Sequence, residues 1–441
     1  MYNILKTLMK INSKTFYKNH INEISRYYSA NDSVLHVVNS ESNIQVLDDF
    51  YDTLKIDISS QNNLMEFYDD KKYDLVVITD LFELSDDIYL FLKNISKFIN
   101  SNGKLLITSI NPKWNNFIKV FEILKLKNST KKRNYIPPKK INNIAKSTGF
   151  EMIHKNTRQI LPFSIFGLGA FINKIFEFLL SLLNIGIKTY TLFRFENSSK
   201  KEMSKSIIIP AKNEEGNLEE LLKRIPNFKG QNEILIVCGK SKDNTLEKSH
   251  ELANQFKEKN ISVFEQTSKG KAGAVYEVLN NCSGELIAIL DADISVDPET
   301  LNDFFEIIEN GYADFVNGTR LIYGKEKNAM RFLNSIGNLF FQFLISIVIK
   351  QKLTDSLCGT KIFKKENLDL LYDWQKTNIV KDPFGDFDLI FSAAYSGQKI
   401  LEYPVHYRSR KYGSTQISRF KDGWKLLSYF MISLYKFNVS K

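Results

Sequence analysis

The sequence predicts an α/β protein of two domains, each built around a mainly parallel sheet. Three features carry this. The 441 residues exceed what one ordinary core holds. Short β-branched runs alternate with helical stretches in both halves, the layout of strands joined by crossover helices. Between the halves, 196–205 is polar and reads as a linker, which sets the domains at 1–200 and 201–441. The hydrophobic fraction of 43% is that of a folded chain and argues against long disordered stretches.

In the first half, 33–38, 73–79 and 104–109 read as strands, and 88–99 as the crossover helix between the last two. Pro137-Pro138 breaks the chain before a helix that stops near Gly149. The segment 171–183 reads as a strongly apolar helix with Asn173, Lys174 and Glu177 toward its start. In the second half the strands are 206–209, 233–237, 262–265 and 285–290, with helices 218–224, 245–257 and 272–280 between them. No internal repeat or low-complexity tract interrupts this order.

Charge and cysteine content narrow the function classes. The formal net charge of +10 allows anionic partners. Lys and Arg are spread without a compact block, however, so the surface reads as solvated and no nucleic-acid partner is expected. Cys238, Cys282 and Cys358 are widely spaced and odd in number, which fits neither a zinc site nor a disulfide framework and suits a reducing, cytosolic setting. The most apolar segment, 332–349, is interrupted by Asn334, Asn338, Gln342 and Ser346, which share one helical face. An amphipathic helix is therefore expected there, not one that crosses a bilayer.

The chemistry concentrates in the second half. Strand 285–290 ends in Asp291-Ala292-Asp293. Alternate residues of an extended segment point the same way, so both carboxylates are expected to converge on one divalent cation. Hard oxygen ligands suit Mg2+ or Mn2+, and such an ion bridges the phosphates of a nucleotide diphosphate. The carboxyl end of a buried strand is also where open α/β sheets bind ligands. Taken alone, this short pattern is more often a turn or a cap. After the first strand, Pro210-Ala211-Lys212-Asn213-Glu214-Glu215-Gly216-Asn217 suits either a nucleoside's polar edges or simple helix capping by Asn213 or Asn217. Ser241-Lys242-Asp243-Asn244-Thr245 is cap-like in the same way. Lys269-Gly270-Lys271-Ala272-Gly273-Ala274 opens a helix whose backbone amides and lysine suit a diphosphate, without the spacing of a P-loop.

In this order, and over about residues 205–425, these four segments resemble the family 2 glycosyltransferases of the nucleotide-diphospho-sugar (GT-A) fold. The likeness is closest to dolichyl-phosphate mannose synthases and related polyprenyl-phosphate glycosyltransferases. It runs through Asn317-Gly318-Thr319-Arg320, Arg331-Phe332-Leu333-Asn334-Ser335 and Asp355-Ser356-Leu357-Cys358-Gly359-Thr360-Lys361. It continues through Asp386-Phe387-Asp388 to Tyr407-Arg408-Ser409-Arg410 with Gly413 and Thr415. The resemblance implies two Rossmann-like α/β domains, the second with the GT-A fold. It implies that Asp291 and Asp293 hold the metal, while Pro210, Ala211, Asn213, Glu214, Asp243 and Lys271 bind the donor. Arg320, Arg331, Ser335 and Arg410 are implied to cradle an acceptor phosphate. Asp293, Arg320 and Asp388 carry the catalytic expectations. The chain departs from the pattern at Cys238-Gly239, where the family has an acidic pair. It departs also at Lys212 for an aromatic residue, Ser295 for a glutamine, and Thr415-Gln416 for Ser-Lys.

The residues agree with a phosphate acceptor. Arg331 and Ser335 share a helical face, and Asn334, Asn338 and Gln342 continue a polar stripe beside it, the rest of the circumference being Phe, Leu, Ile and Val. Two readings of that helix stay open: it lies in a membrane surface, or a neighbouring element or oligomer partner covers it. The aromatic-rich segment 424–437 is a second interface candidate, too short to span a bilayer.

The first half resembles a class I S-adenosylmethionine-dependent methyltransferase through Tyr73-Asp74-Leu75-Val76-Val77-Ile78-Thr79-Asp80 and Gly103-Lys104-Leu105-Leu106-Ile107. Its cofactor loop reads His36-Val37-Val38-Asn39-Ser40-Glu41-Ser42, with Val38, Ser40 and Ser42 where the family has glycines. A β-branched valine blocks both the positive-φ turn and the close backbone approach. A degenerate domain, kept as scaffold or partner surface, is expected.

The combined expectation is an inverting, metal-dependent enzyme that moves a sugar from a nucleotide diphosphate to a polyprenyl phosphate. It would work in the cytoplasm, peripheral on the inner face of the cell membrane. A phosphate is already ionised at neutral pH and needs no general base. A saccharide hydroxyl acceptor, in cell-envelope polysaccharide synthesis, would need one, with Asp388 the candidate. A non-catalytic nucleotide-sugar-binding protein is the remaining alternative.

Overall fold

The computed structural model describes 20–28 (except 22), 31–39, 52–56, 71–79, 81, 85, 87–123, 138–158 and 185–195 in the first half. In the second half it describes 201–323, 332–376, 384–410 and 419–438, with isolated positions such as Asn378, Asp382 and Tyr412 between these segments. The chain divides into two compact units, residues 1–197 with 435–441 and residues 198–434.

The first unit is a six-stranded sheet in the order β2-β1-β3-β4-β6-β5. Its strands are β1 (Val34–Asn39), β2 (Asp52–Ile56), β3 (Tyr73–Thr79), β4 (Ile99–Ile110), β5 (Phe150–Arg158) and β6 (Lys188–Phe195). The first four run parallel, and β6 lies antiparallel between β4 and β5. Leu35, Val37, Val76, Ile78, Leu105 and Ile107 fill one face, and Val34, Leu75, Val77 and Leu106 the other. Strands buried on both faces are why these segments read as continuous apolar runs. Helix α1 (Ile88–Ile95) starts where Asp87 accepts from the Leu90 amide and buries Phe91, Leu92 and Ile95. It stops four residues short of the expected end: 96–98 tighten into a 3-10 turn and Ile99 already belongs to β4. Helices α2 (Asn115–Ile123) and α3 (Pro138–Ser147) complete the described elements.

One face of this sheet carries a buried polar knot. The His36 and His20 Nε2 atoms both lie within hydrogen-bond distance of Thr79 Oγ1, at 2.7 and 2.9 Å, and His20 Nδ1 meets the Tyr190 hydroxyl at 3.0 Å. Burial, reinforced by the Lys188 and His36 charges, holds the His20 imidazole well below its usual pKa, so it is neutral at pH 7. Val38, at one of the expected glycine positions, is fully packed. Ser40, Ser42 and the helix expected at 171–183 lie outside the described residues.

The second unit is a seven-stranded sheet in the order β13-β11-β12-β10-β7-β8-β9. Its strands are β7 (Lys205–Ala211), β8 (Asn232–Cys238), β9 (Ile261–Glu265), β10 (Leu286–Ile289), β11 (Phe315–Thr319), β12 (Lys361–Lys364) and β13 (Ile400–Pro404). Its helices are α4 (Glu215–Arg224), α5 (Thr245–Gln255), α6 (Gly270–Val278), α7 (Leu301–Glu309), α8 (Phe332–Ile349), α9 (Leu368–Lys376), α10 (Asp386–Tyr395) and α11 (Arg419–Asn438), the last of which belongs to this unit as far as Leu434. Ile207, Ile209, Ile236, Leu286, Ala288, Phe304, Phe305 and Val316 lie at the centre of its core.

Topology gathers the polar loops at one edge. Strands β7, β8 and β10 are parallel, so 211–214, 239–245 and 290–296 leave the sheet on the same side. Strand β12 is antiparallel to β10 and enters there, Lys361 opposite Ile289, which sets loop 355–360 beside 290–293. Strand β11 pairs Asn317 with Lys361, so Arg320 emerges at that edge too.

The first unit yields one prediction. Equilibrium dialysis of the full chain against labelled S-adenosylmethionine will show no saturable binding in the low micromolar range, because a packed β-branched Val38 stands where the resemblance expects glycine. Low-micromolar binding would contradict it.

Candidate functional site

Asp291 and Asp293 do not continue the strand. Strand β10 ends at Ile289, and 292–293 form a turn. The alternation expected of an extended segment is thus replaced by turn geometry. The turn is sharp: Ile294 has φ of 53°, a left-handed conformation rare for a β-branched residue. It brings the Ser295 amide to within 3.0 Å of Asp293 Oδ1.

Each carboxylate has a cation. Lys271, from the first turn of α6, pairs with Asp291. Arg410 Nε pairs with Asp293 Oδ2 at 2.7 Å. Burial works to raise Asp291, but the Lys271 ammonium, with Lys361 and Arg410, holds its carboxyl below the usual value. Burial likewise works against the Lys271 charge, and Asp291, Asp386 and Asp293 more than compensate and raise it. Glu214 stands at the rim of this cluster. Burial first, then the Asp293 and Asp291 charges, push its carboxyl up to about 7 against the Asn217 hydrogen bond. Gly359 abuts Asp291 and Lys271 so closely that a β-carbon there would run into both.

The donor-side loops lock each other. Asn213 has φ of 56°; its amide donates to Ser241 Oγ at 3.0 Å and its Oδ1 accepts from the Lys242 amide at 2.7 Å. The Glu214 amide donates to Thr245 Oγ1 at 3.0 Å. Asp243 accepts from the Glu215 and Thr245 amides, so it caps two helix starts, which is the capping reading of this segment. The Ala211 carbonyl accepts from Gly239, and Pro210 is half-buried beside it. Helix α6 has no side-chain cap, leaving its first amides to other acceptors.

Two expected catalytic residues are engaged elsewhere. Arg320 donates from Nε and Nη2 to Asp355 at 2.7 and 2.9 Å, and its guanidinium lies 5.0 Å from the Tyr407 ring centre. Asp355 is fully buried and also accepts from the Arg320 and Leu357 amides and from Asn338 Nδ2. Burial alone would raise its carboxyl; the Arg320 charge brings it down to about 2. Arg320 thereby holds loop 355–360 in place. Asp388 accepts from the Tyr276 and Tyr429 hydroxyls and the Gln375 and Asn378 amides, and its carboxylate is buried. Asp382 binds the Phe387 and Asp388 amides at the start of α10. Arg331 and the Ser335 side chain lie outside the described residues, as do Gly413 and Thr415.

Sequence reasoning missed Gly359 as a site residue and Asp355 as the hub. It also missed the register that delivers Arg410. Val296 bridges Tyr407 antiparallel and the Arg408 amide donates to the Ser295 carbonyl at 2.9 Å, which sets Arg410 across from Asp293. Only the acidic-glycine composition of 355–361 hinted at the first two.

The donor set fits a divalent cation that arrives with a ligand. Two hard carboxylates are available, and no group of three His, Cys, Asp or Glu side chains among the described residues is placed to hold a metal alone. Mg2+ and Mn2+ are commonly held by one or two carboxylates with substrate phosphates and water completing the shell.

Both halves of the chain are similar to known protein families. Residues 206–371 match the family described as Glycosyl transferase family 2, and residues 28–155 match a Methyltransferase domain. A dolichol-phosphate mannosyltransferase of Pyrococcus furiosus is 28% identical over 222 residues, 49% of this chain and 59% of that protein. A dolichyl-phosphate hexose transferase of Haloferax volcanii is 28% identical over 219 residues, 49% of this chain and 88% of that one. The chain thus spans less than two thirds of the Pyrococcus relative's length. A solved structure of glucosyl-3-phosphoglycerate synthase from Mycobacterium tuberculosis, with Mn2+, UDP and phosphoglyceric acid, matches 54% of this chain and 80% of that chain. Its identity is 16% and its TM-score 0.41.

Removing one partner of the Arg320–Asp355 pair leaves a buried charge uncompensated. Arg320→Met is expected to lower the unfolding free energy of the second unit by about 3–5 kcal/mol in urea titration, and a loss near zero would show the pair to be dispensable.

Proposed function

We propose that the second unit transfers a sugar from a nucleotide diphosphate to a polyprenyl phosphate at a membrane surface, with inversion at the transferred carbon. The observation that carries this is the grouping of Asp291, Asp293, Lys271 and Arg410 at the carboxyl edge of β7 and β10. The family 2 glycosyltransferase match and the names of the archaeal relatives support the donor and acceptor classes.

The site's own residues account for the leaving group. The open first turn of α6 and Lys271 offer amides and a cation where diphosphate charge develops. A divalent cation held by Asp291 and Asp293 would add electrostatic stabilisation of the same oxygens. Pro210, Ala211, Asn213 and Glu214 line the adjoining loop for the nucleoside. The acceptor side belongs to Arg410, and the resemblance adds Arg331 and Ser335. Direct attack by an ionised phosphate oxygen needs orientation, not proton removal. The engagement of Asp388 by two tyrosines favours this acceptor over a saccharide hydroxyl.

Helix α8 supports the membrane surface. Among its described residues, Asn338 and Ser346 of the polar stripe face inward: Asn338 binds Asp355 and Ser356, and Ser346 accepts from the Leu353 amide. The outward face is apolar, with Ile336, Leu339, Phe340, Phe343 and Ile347 exposed, and α11 exposes Trp424 and Met431. Contiguous exposed apolar surface marks an interaction site, and an in-plane membrane helix presents such a face. No helix among the described residues is long and apolar enough to cross a membrane.

Two experiments test the reading. Calorimetry with UDP and GDP in the presence of Mn2+ should show at least one binding, with Asp291→Asn and Asp293→Asn each weakening it about tenfold or more, a loss of roughly 1.4 kcal/mol. Unchanged affinity in both variants would remove the carboxylates from the site. Phe340→Glu with Phe343→Glu should abolish co-sedimentation with anionic lipid vesicles, and retained binding would count against α8 as the docking face.

A further inference from the structure

The first unit carries an apolar helix face of its own. Strand β4 ends at Ile110, and the chain passes through a 3-10 turn (Pro112–Trp114) into α2 at the carboxyl edge of the sheet. The start of that helix is fixed. The Asn111 amide donates to the Ile187 carbonyl at 2.7 Å, and Asn111 Nδ2 donates to the Gly186 carbonyl at 2.8 Å. The Trp114 indole donates to the Ile185 carbonyl at 2.6 Å, and its ring meets the Phe117 ring at 5.5 Å. Beyond this anchorage the apolar side chains turn outward. Phe117, Val120 and Ile123, spaced three apart, share one side of the helix and are 60%, 50% and 79% exposed. Single exposed apolar residues are ordinary, but a row of three on an anchored helix marks an interaction site.

The surroundings of that face are cationic. Lys113 and Lys119 are exposed on either side of Phe117 in the chain. Lys155, half-buried on β5, has its pKa lowered by burial and then by the Lys113 charge, so lysines from two elements stand close together. Along the sequence, 113–140 holds nine Lys or Arg and a single acid, Glu122. Their spacing is too wide for a compact block, yet the stretch is strongly positive. An apolar helix face flanked by lysines is the chemistry of an in-plane helix on an anionic bilayer. A second copy of the chain fits less well, because a symmetric contact would set these lysines against their own equivalents.

We infer that α2 is a lipid-docking site of the first unit. Phe117, Val120 and Ile123 enter the boundary between headgroups and acyl chains of an anionic bilayer, and Lys113, Lys119 and Lys155 lie against its phosphates. The site is separate from the α8 face proposed above and does not depend on the sugar-transfer reading. One short amphipathic helix holds a bilayer only weakly, so α2 and α8 act as two signals, and loss of either removes stable attachment.

The test places a reporter on α2 in the full chain. All three native cysteines are buried, so Val120→Cys takes a thiol-reactive nitrobenzoxadiazole label selectively. On vesicles containing phosphatidylglycerol its emission should shift to the blue and be quenched by doxyl groups on the acyl chains. Phosphatidylcholine vesicles should leave it unchanged. Without label, Phe117→Glu with Ile123→Glu, and Lys113→Glu with Lys119→Glu, should each weaken vesicle co-sedimentation about tenfold or more at an unchanged melting temperature. A label that stays in water while the protein sediments with anionic vesicles would overturn the α2 site and leave α8 standing. Blue emission before lipid is added would show that protein already covers the face, and an equal shift on neutral vesicles would take the lysines out of the contact; either overturns the inference. Absence of sedimentation for every protein would overturn α2 and α8 together.

Discussion

Acidic groups gathered in one place are the constraint to which the second unit is fitted. Asp291, Asp293, Asp386 and Glu214 interact at the carboxyl edge of the sheet, and ionised carboxylates this close repel each other strongly unless cations stand among them. Lys271, Lys361 and Arg410 answer them from three separate elements: the first turn of α6, the start of β12 and the segment after β13. Each cation reaches its place through backbone geometry. An antiparallel strand carries Lys361 in beside β10, and the bridge between Val296 and Tyr407 carries Arg410. The balance of charge also explains why the site suits a metal that comes with a diphosphate. The ion and its anionic ligand together bring little net charge, and they can exchange with cations already present.

Around this cluster, fully buried polar groups fix the loops. Asp355 ties Arg320, the Leu357 amide and Asn338 into one hub, and the Glu402 carboxylate receives the Thr354 and Asp355 amides. The hub sets loop 355–360, and with it Gly359, against Asp291. Asp382 plays a similar part at the start of α10; burial and the Asp388 and Asp386 charges push its carboxyl up to about 7. Below that value it is protonated in the folded protein while its unfolded counterpart is ionised, so its contribution to stability falls as pH rises from the usual carboxylate range through 7.

Much of the frame was legible in the sequence. The β-branched runs at 206–209, 233–237 and 285–290 are strands because both faces are buried, and period-free apolar runs report that directly. The acidic pair at Asp291 and Asp293 was legible as chemistry but not as geometry, because a turn governed by a left-handed isoleucine cannot be read from residue type. The stripe of Asn338, Gln342 and Ser346 gave the helix and its two faces. Its orientation was hidden, because the partner groups at 353–356 lie on another element. Arg320 and Asp388 looked functional, and the structure gives both of them buried partners on distant elements. A charged residue beside a site and a charged residue holding that site together have the same local sequence, and only their distant partners separate them. In the first half, the apolar strands were legible, whereas the His20–Thr79–Tyr190 knot joins residues far apart in the chain.

The central claim is that Asp291 and Asp293, matched by Lys271 and Arg410, hold a metal only together with a nucleoside diphosphate. Electron paramagnetic resonance of free Mn2+ tests it directly, by titrating the ion into the protein with and without UDP or GDP. The account predicts weak, non-saturating binding of Mn2+ alone and stoichiometric binding once the accepted nucleotide is present. Equally tight, stoichiometric Mn2+ binding without nucleotide would contradict it.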